Sequence, residues 1–338
     1  MKADVVDSPE TGAQCPPGPV QRVLVTGANG FVGRAAWKQL QRKSGLLAVG
    51  TVRRTDASGV DAQGGPVAMG DLSAPTDWSA VLARVDVVVH AAARVHVMHD
   101  TTANPLAEFR RVNVEGTLRL AHQAAGARVK RFVFISSVGV NGLKTPEGSP
   151  FVETATPRPH NAYAVSKWEA EQGLLRIADE TGLEVVIIRP PLVYGLGAPG
   201  NFAALLRAVQ RGWPLPLGAV HNRRSLLALD NLVDFIVTCM SHPAAANQTF
   251  LVSDGHDLST AELIRGLERA AGLSARTLPV PVWILKGAAG LLGKKEAMQR
   301  LCGNLQVDIS KARNLLEWAP PISVEEGLRR AIINVRKA

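Results

Sequence analysis

Residues 23–33 read Val-Leu-Val-Thr-Gly-Ala-Asn-Gly-Phe-Val-Gly, an apolar run followed by three glycines at regular spacing. The apolar run predicts a buried strand, and residues 31–42 predict a helix that starts inside the glycine pattern. Gly27 permits a tight turn, Gly30 lets the backbone approach a pyrophosphate, and Gly33 lets the helix lie against the strand. The helix N-terminus then offers free N–H groups to phosphates. This stretch therefore predicts a dinucleotide-binding turn.

The same alternation of apolar runs and helical stretches continues to residue 189. Strands are predicted at 22–26, 47–52, 67–70, 85–90, 131–136 and 184–189, and helices at 31–42, 109–125 and 162–181. Such β-α-β alternation predicts an α/β fold with a Rossmann-type, doubly wound parallel sheet. After Pro190 glycine and proline become frequent, and the later helices at 259–271 and 324–334 predict a smaller C-terminal lobe.

These patterns divide the chain into three parts. We predict a flexible N-terminal extension over 1–21, an NAD(P)-binding Rossmann domain over 22–190, and a mainly substrate-binding lobe over 191–338 with some return of chain to the Rossmann domain. The extension carries acidic residues and paired prolines in place of an apolar core, so it does not read as a signal peptide.

Composition narrows the class of protein. The formal net charge is +9, but the basic residues are spread along the chain and aromatic residues make up only 5%. We therefore expect phosphate-bearing small molecules as partners, and no nucleic acid.

The three cysteines form no CxxC pair, which fits a reducing cytoplasm. The apolar stretch 280–293, interrupted by Lys286, is too short to span a bilayer. It predicts a packed helix without stable membrane insertion, with peripheral membrane contact as the alternative.

A tyrosine and a lysine four residues apart carry the predicted chemistry. Tyr163 and Lys167 share one face of a predicted helix. A nearby ammonium and a positively charged nicotinamide both favour the phenolate, which brings the pKa of Tyr163 towards the range of a general acid/base. The alternative is an exposed tyrosine on an amphipathic helix.

The glycine stretch and this pair together resemble the extended short-chain dehydrogenase/reductase family, also called the NAD-dependent epimerase/dehydratase family. The resemblance covers roughly residues 22–329 and is nearest to bacterial UDP-glucose 4-epimerase-like enzymes and to reductases of UDP-4-keto-6-deoxy-N-acetylhexosamine in O-antigen synthesis. It implies cofactor contacts from Gly27, Asn29, Gly30, Phe31, Val32, Gly33, Asp71, Leu72, Ala91, Ala92, Ala93, Asn113, Ser136, Tyr163, Lys167, Pro190 and Val193.

The resemblance also implies a catalytic serine beyond the strand at 131–136. Counting back four residues from Asn141, which stands where the family often has tyrosine, selects Ser137, with Ser136 as the alternative. Family members that eliminate water carry Asp and Glu where this chain has Val138 and Gly139. The sequence therefore predicts hydride transfer without elimination.

The end of the second strand bears on the choice of cofactor. NAD enzymes usually place an acid here to bind the ribose 2′-hydroxyl. This chain has Arg53 and Arg54, and its nearest acid, Asp56, lies past the strand. Arginine pairs well with a 2′-phosphate. We therefore expect NADP(H). The alternative is that the enzyme accepts NAD(H), in which case both arginines form a solvated strand end.

On the substrate side, the resemblance implies a nucleotide diphosphate sugar held by Ser137, Asn141, Asn201, Arg224 and Arg300. Arginine suits a diphosphate because it binds in a bidentate manner. The alternative for Arg224 is a structural pairing with Asp230 or Asp234. His96, His99 and Asp100 lack a suitably spaced fourth ligand, so no metal is expected.

Three functions remain open from the sequence. The favoured one is reduction at C4 of a UDP-4-keto-6-deoxy-N-acetylhexosamine for surface polysaccharide. The second is a UDP-glucose or UDP-N-acetylglucosamine 4-epimerase, and the third is a non-catalytic NADP-sensing protein. The family resemblance also implies a homodimer that pairs the helices at 108–125 and 162–181.

Overall fold

The computed structural model describes residues 21–54, 65–95, 104–274, 276–291, 293 and 295–332. The predicted N-terminal extension lies outside these residues except for Gln21. Asp56, His96, His99 and Asp100 also lie outside them. Among the described residues, no helix combines the length and apolar character needed to cross a membrane.

Seven parallel strands form the main sheet, in the order β3-β2-β1-β4-β5-β6-β9, and β7 pairs with β8 in a separate two-stranded sheet. The strands are β1 (Gln21–Thr26), β2 (Leu46–Val52), β3 (Val67–Ala68), β4 (Val87–His90), β5 (Arg131–Ile135), β6 (Glu184–Arg189), β7 (Leu192–Tyr194), β8 (Leu226–Ala228) and β9 (Gln248–Leu251). The predicted α/β fold with a doubly wound parallel sheet is confirmed, since every pairing within the main sheet is parallel.

Helices connect these strands and build the C-terminal part. They are α1 (Phe31–Gln41), α2 (Ser79–Leu82), α3 (Pro105–Arg110), α4 (Gly116–Gly126), α5 (Ala162–Thr181), α6 (Gly200–Gln210), α7 (Leu229–Ser241), α8 (Thr260–Ala271), α9 (Val282–Leu291), α10 (Lys295–Cys302), α11 (Ser310–Leu316) and α12 (Val324–Ile332). A π-helical turn, Arg111–Glu115, joins α3 to α4, and short 3₁₀ turns lie at Val138–Val140 and Pro243–Ala245. The helix predicted at 109–125 thus begins earlier, where Asn104 caps α3 and Pro105 occupies its first turn.

Apolar side chains cover both faces of the main sheet, as expected for parallel strands. One buried cluster includes Val25, Val133 and Phe250 with residues of α1 and α7, and the other includes Leu24, Phe132 and residues of α4 and α5. A third cluster belongs to the C-terminal lobe and is built mainly from α6, α8 and α12.

The chain returns to the main sheet after building part of that lobe. β9 pairs in parallel with β6, and α7 packs into the same core as α1. The proposed boundary at residue 190 therefore separates a sheet-forming segment from one that also supplies a strand to the sheet.

Candidate active site

The carboxyl ends of four neighbouring strands bring the predicted residues to one edge of the sheet. Gly27 follows β1, Ala91 follows β4, Ser136 follows β5 and Pro190 follows β6. The connections run outward in opposite directions from β1 and β4. In doubly wound sheets, ligands bind in the crevice at such a reversal of strand order.

The turn after β1 has the close packing that a pyrophosphate cradle needs. Gly27 has a φ of 70°, and a Cβ there would lie 2.9 Å from the Ala92 Cα. A Cβ on Gly33 would overlap the Gly27 carbonyl group. Among the described residues no side chain caps α1, so its first N–H groups stay available to an anion. This backbone fits a dinucleotide cofactor.

Helix α5 holds the tyrosine and lysine pair. Asn161 caps its start by accepting a hydrogen bond from the Ala164 N–H at 2.8 Å, and Gly182, with a φ of 76°, ends it. The Lys167 Nζ donates to the Ile135 carbonyl oxygen at 2.8 Å and lies 4.4 Å from the centre of the Phe134 ring. Lys167 is therefore fixed against the end of β5.

The π-helical turn ties α5 to the segment after β4. Asn113, which lies in this turn and is buried, accepts a hydrogen bond from the Arg94 N–H at 2.8 Å. Its amide donates to the Arg94 carbonyl and to the Ser166 Oγ, each at 3.0 Å. Ser166 in turn donates to the Tyr163 carbonyl. One asparagine thus connects two of the segments that border the site.

A buried carboxylate lies one helical turn beyond Lys167. Glu171 is 1% exposed, forms an ion pair with Arg189 and accepts a hydrogen bond from the Ser136 Oγ. The Arg189 Nη1 also donates to the Asn141 Oδ1 at 3.2 Å, and the Asn141 amide donates to the Val152 carbonyl. The network fixes the end of β6 to α5, and it occupies the side chains of Ser136 and Asn141 within the protein.

A cavity of roughly 520 Å³ lies beside these elements, a size typical of small-molecule sites. Ser137, Tyr163, Asn201, Arg224 and Arg300 all line it. Most of the remaining lining is apolar and includes Leu143, Leu192, Leu205, Leu217, Leu258, Leu301 and Leu305. The cavity therefore places the hydroxyls of Ser137 and Tyr163 together with Arg224 and Arg300 in a mainly apolar enclosure.

Burial shifts the pKa values of Tyr163 and Lys167 in opposite directions. It raises the pKa of Tyr163 to about 12, because a buried phenolate loses its hydration. It lowers the pKa of Lys167 to about 7, against an opposing effect of the Glu171 carboxylate. In the protein without its cofactor, burial therefore opposes the fall in the pKa of Tyr163 that the ammonium and the nicotinamide are expected to cause.

Substituting Lys167→Met should change how stability depends on pH. The pKa of Lys167 is about 7 in the folded protein against 10.5 for the free side chain, so the folded state binds fewer protons between those values. The free energy of unfolding should therefore rise with pH in this window, by about 2 kcal/mol from pH 7 to pH 9. Denaturant titrations of the cofactor-free protein should show this rise and the variant should lack it. The control variant Lys130→Met replaces an exposed lysine and should retain the rise. Parallel curves of unfolding free energy against pH for the wild type and Lys167→Met would contradict the lowered pKa of Lys167.

The family follows from comparison with known proteins. The model of the NAD dependent epimerase/dehydratase family matches residues 23–253, which include the glycine turn, the serine and the tyrosine–lysine pair. This chain belongs to the NAD dependent epimerase/dehydratase family. It is therefore an enzyme of the extended short-chain dehydrogenase/reductase type with a nicotinamide dinucleotide cofactor, as the sequence predicted.

Members of the epimerase/dehydratase family resemble this chain over most of its length. A UDP-glucose 4-epimerase from Vibrio cholerae is 47% identical over 91% of this chain and 93% of its own length. An N-acetyl-α-D-glucosaminyl-diphospho-ditrans,octacis-undecaprenol 4-epimerase from Escherichia coli O157:H7 is 27% identical over 92% and 94%. The crystal structure of a putative epimerase from Burkholderia cenocepacia J2315 superposes with a TM-score of 0.76, at 27% identity, over 95% and 99%.

Not every predicted site residue of this family member reaches the cavity. Ser137 lines it and Ser136 points to Glu171, which favours Ser137 over the alternative. Asn141 is 1% exposed, accepts a hydrogen bond from Arg189 and does not line the cavity, and its predicted substrate contact stays a prediction. Pro190 lines the cavity, whereas Val193 packs towards the core of the main sheet.

The remaining predicted cofactor residues surround the glycine turn or the strand ends. Asn29 lies in the exposed turn, and Phe31 and Val32 begin α1. Phe31 packs against the core of the lobe. Ala93 follows β4, and Leu72 lies against Gly116 of α4, where a Cβ would come within 2.6 Å of its Cγ. Contacts between these residues and a cofactor stay predictions, as does that of Asn113.

Two arginine assignments look different in the structure. The Arg53 Nε lies 3.8 Å from the Asp71 carboxylate, with both side chains exposed, and Arg54 is also exposed. Arg53 thus has a carboxylate partner within the protein, although such exposed pairs are weak. The Arg224 Nη1 donates to the carbonyls of Arg300 and Gly303. Asp230 and Asp234 instead accept hydrogen bonds from Arg330 and Trp318, so the pairing considered for Arg224 is absent.

Several residues of the site were missed in the sequence. His160 and Asn161 line the cavity just before Tyr163, a proximity that the sequence already displays. Buried His90 bridges Thr26 and Thr117, and burial lowers its pKa to about 3, so the ring is neutral at physiological pH. The position of Glu171, four residues after Lys167, was a signal that helical spacing could have provided.

Proposed function

We propose that this enzyme is a UDP-hexose 4-epimerase. The observation that carries the proposal is the shared cavity, in which Ser137 and Tyr163 lie with Asn201, Arg224 and Arg300. The first two suit proton transfer at a sugar hydroxyl, and the arginines suit a diphosphate. The Vibrio cholerae relative, at 47% identity, supports this function. The reductase favoured from the sequence has no specific support among the relatives.

The chemistry of the proposed epimerase rests on one proton carried by Tyr163. A nicotinamide dinucleotide would supply reversible hydride exchange with C4 of the sugar. The glycine turn, Ala91 to Ala93 and Lys167 would hold that cofactor. Tyr163 as phenolate would take the C4 hydroxyl proton while Ser137 hydrogen-bonds the same oxygen, and it would return the proton after the ketone has turned over. Burial raises the pKa of Tyr163, and the positive charge of the oxidised nicotinamide would lower it again.

NAD suits this cycle better than the NADP expected from the sequence. An epimerase returns its hydride to the same carbon and consumes no external reductant, and the matching family is described as NAD dependent. Arg53 already lies beside Asp71. Nucleotide released from the purified protein by denaturation should therefore be NAD. Recovery of NADP, or a lower Kd for NADPH than for NADH, would overturn this choice.

A second candidate substrate is a sugar carried on a polyprenyl diphosphate. The name of the Escherichia coli relative describes such a compound. The mainly apolar lining of the cavity, which includes nine leucines, favours this candidate, because it could also accept part of an apolar carrier. Arg224 would serve either substrate, since both contain a diphosphate.

Incubation with defined substrates tests the proposal. UDP-glucose, UDP-N-acetylglucosamine, polyprenyl-diphosphate N-acetylglucosamine and a UDP-4-keto-6-deoxy sugar are each supplied with and without NADPH. Interconversion of a UDP-hexose with its C4 epimer, without consumption of NADPH, is the expected result. Turnover of the keto sugar alone, with NADPH consumed, would establish the reductase instead. Turnover confined to the polyprenyl compound would select the second candidate.

Substituting Arg224→Ala should weaken substrate binding. Arg224 lines the cavity, and burial lowers the pKa of its guanidinium because it lacks full hydration. A hydrogen bond to a charged group contributes about 1.5–3 kcal/mol, so KM should rise roughly 10-fold to 100-fold. Steady-state kinetics with UDP-glucose measure this rise. The neighbouring Arg223 is exposed and lies outside the cavity lining, so Arg223→Ala is the matched control and should keep its KM. Equal KM values for the two variants would exclude the proposed role.

A further inference from the structure

Helix α9 exposes large apolar side chains to solvent. Trp283 is 75% exposed and Leu291 is 92% exposed, while Ile284 is 41% exposed. The opposite side of the same helix is buried in the core of the lobe through Leu285 and Ala289. A helix that is apolar on all sides is normally buried on all sides. Within the part of the chain that the structure describes, one side of α9 therefore lacks the covering that its composition requires.

The exposed residues form one continuous face. Trp283, Gly287 and Leu291 follow one another at intervals of four, and Ile284 and Ala288 lie alongside them. All five are exposed, and we call them the open face of α9. Gly287 and Ala288 have little or no side chain, so the Trp283 indole and the Leu291 side chain protrude at opposite ends of the face.

The sequence around the open face is mainly basic. Residues 276–296 contain Arg276, Lys286, Lys294 and Lys295 against one acidic residue, Glu296. Lys286 is itself exposed on α9. An apolar helical face with tryptophan and leucine, accompanied by lysines, is the pattern of helices that lie in the headgroup region of an anionic bilayer. Two copies of the same face would instead bring like charges together.

Helix α9 borders a second cavity next to the candidate active site. Lys286 and Lys144 line this cavity of roughly 420 Å³ together with Met298, Gln299 and Cys302 of α10. The next two positions after Gln299, Arg300 and Leu301, line the main cavity. Helix α10 thus contributes residues both to the main cavity and to the cavity that Lys286 of α9 lines.

We propose that the open face of α9 docks the enzyme onto the surface of an anionic phospholipid bilayer. The helix has 10 residues, so it is about 15 Å long and about half the thickness of a hydrocarbon core. It therefore lies in the interface and does not span. Docking here would bring the substrate cavity next to the membrane, whichever sugar the enzyme converts.

Vesicle binding of the full chain tests this surface. Sedimentation is measured with vesicles of phosphatidylcholine alone and of phosphatidylcholine with about 30% phosphatidylglycerol, at low and high salt. We expect several-fold more bound protein on the anionic vesicles, with a decrease at high salt. Trp283→Ser combined with Leu291→Ser should reduce binding at least about 10-fold, because both side chains leave the apolar phase. Leu315→Ser, at a 38% exposed leucine on α11, should bind as the wild type does.

One more variant and a mass measurement distinguish docking on a bilayer from pairing with a second copy of the chain. Lys286→Glu keeps the apolar side chains and should abolish the preference for phosphatidylglycerol. Thermal unfolding should be unchanged in all of these variants, since the replaced side chains are exposed. Absence of vesicle binding by the wild type, or equal binding by the double variant, would overturn the proposal. So would a halved mass of the double variant in gel filtration, which would assign the face to a second copy. Binding is read without turnover, so these results do not depend on the proposed 4-epimerase activity.

Discussion

Replacing Tyr163→Phe should lower the kcat of the proposed 4-epimerase by about 100-fold to 10,000-fold, the usual contribution of a positioned general acid/base. Phenylalanine fills the same space beside Phe109, whose ring centre lies 6.1 Å away, but it has no hydroxyl to carry the proton. Cofactor binding should stay near that of the wild type, because the glycine turn and Lys167 are untouched. Turnover of UDP-glucose and NADH binding by fluorescence measure the two effects.

The other tyrosine of the chain provides a matched control. The Tyr194 hydroxyl donates to the buried carboxylate of Asp254 at 2.8 Å, and Tyr194 does not line the main cavity. Tyr194→Phe should lower the free energy of unfolding by about 1–3 kcal/mol, because Asp254 loses a donor, and should keep kcat. Near-normal kcat in Tyr163→Phe would reject Tyr163 as the acid/base.

A single methyl group in the glycine turn should have the second large effect. In Gly33→Ala the new Cβ would lie 2.7 Å from the Gly27 carbonyl carbon and closer still to its oxygen. Neither atom belongs to a flexible side chain, so α1 must move away from β1. Such overpacking costs about 1–3 kcal/mol, which corresponds to roughly 5-fold to 150-fold in dinucleotide affinity if the shift disturbs the cradle alone. Isothermal titration with NAD and thermal unfolding measure both consequences.

Gly126→Ala adds the same methyl group where there is room for it. Gly126 ends α4, is exposed, and a Cβ there meets nothing within 4 Å. Alanine favours helix over glycine, so stability should be unchanged or raised by less than about 1 kcal/mol. If Gly33→Ala binds NAD as tightly as Gly126→Ala, the turn is not the cofactor cradle.

Local sequence signals explain why much of the fold could be predicted. Helix α5 was predicted with its observed bounds because Asn161 and Gly182 mark both ends. The buried strands β4, β5 and β6 each contain an uninterrupted apolar run of three or four residues. The start of α3 was missed although Asn104 and Pro105 form a recognisable helix start. Strand β3, at the edge of the sheet, has two residues where the sequence predicted four.

The site was less predictable, because its polar contacts join distant segments. No local pattern indicates that Asn141 turns towards Arg189, or that Ser136 and Ser137 use their hydroxyls differently. The pKa of Tyr163 was expected to fall because sequence spacing revealed the lysine but not the burial that raises it. Motif spacing therefore located the chemistry, whereas hydrogen-bond partners and desolvation required the tertiary structure.

The late position of β9 in the chain bears on how this protein emerges from the ribosome. β6 ends at residue 189, but its neighbour β9 ends only at residue 251. While the intervening segment is being synthesised, the nearly complete sheet exposes the unpaired edge of β6, a strand whose central residues are Val, Val, Ile and Ile. Such an edge is a template for pairing between chains. The nascent chain therefore passes through an aggregation-sensitive interval of about sixty residues, in which a chaperone that shields apolar strands would raise the yield of folded enzyme.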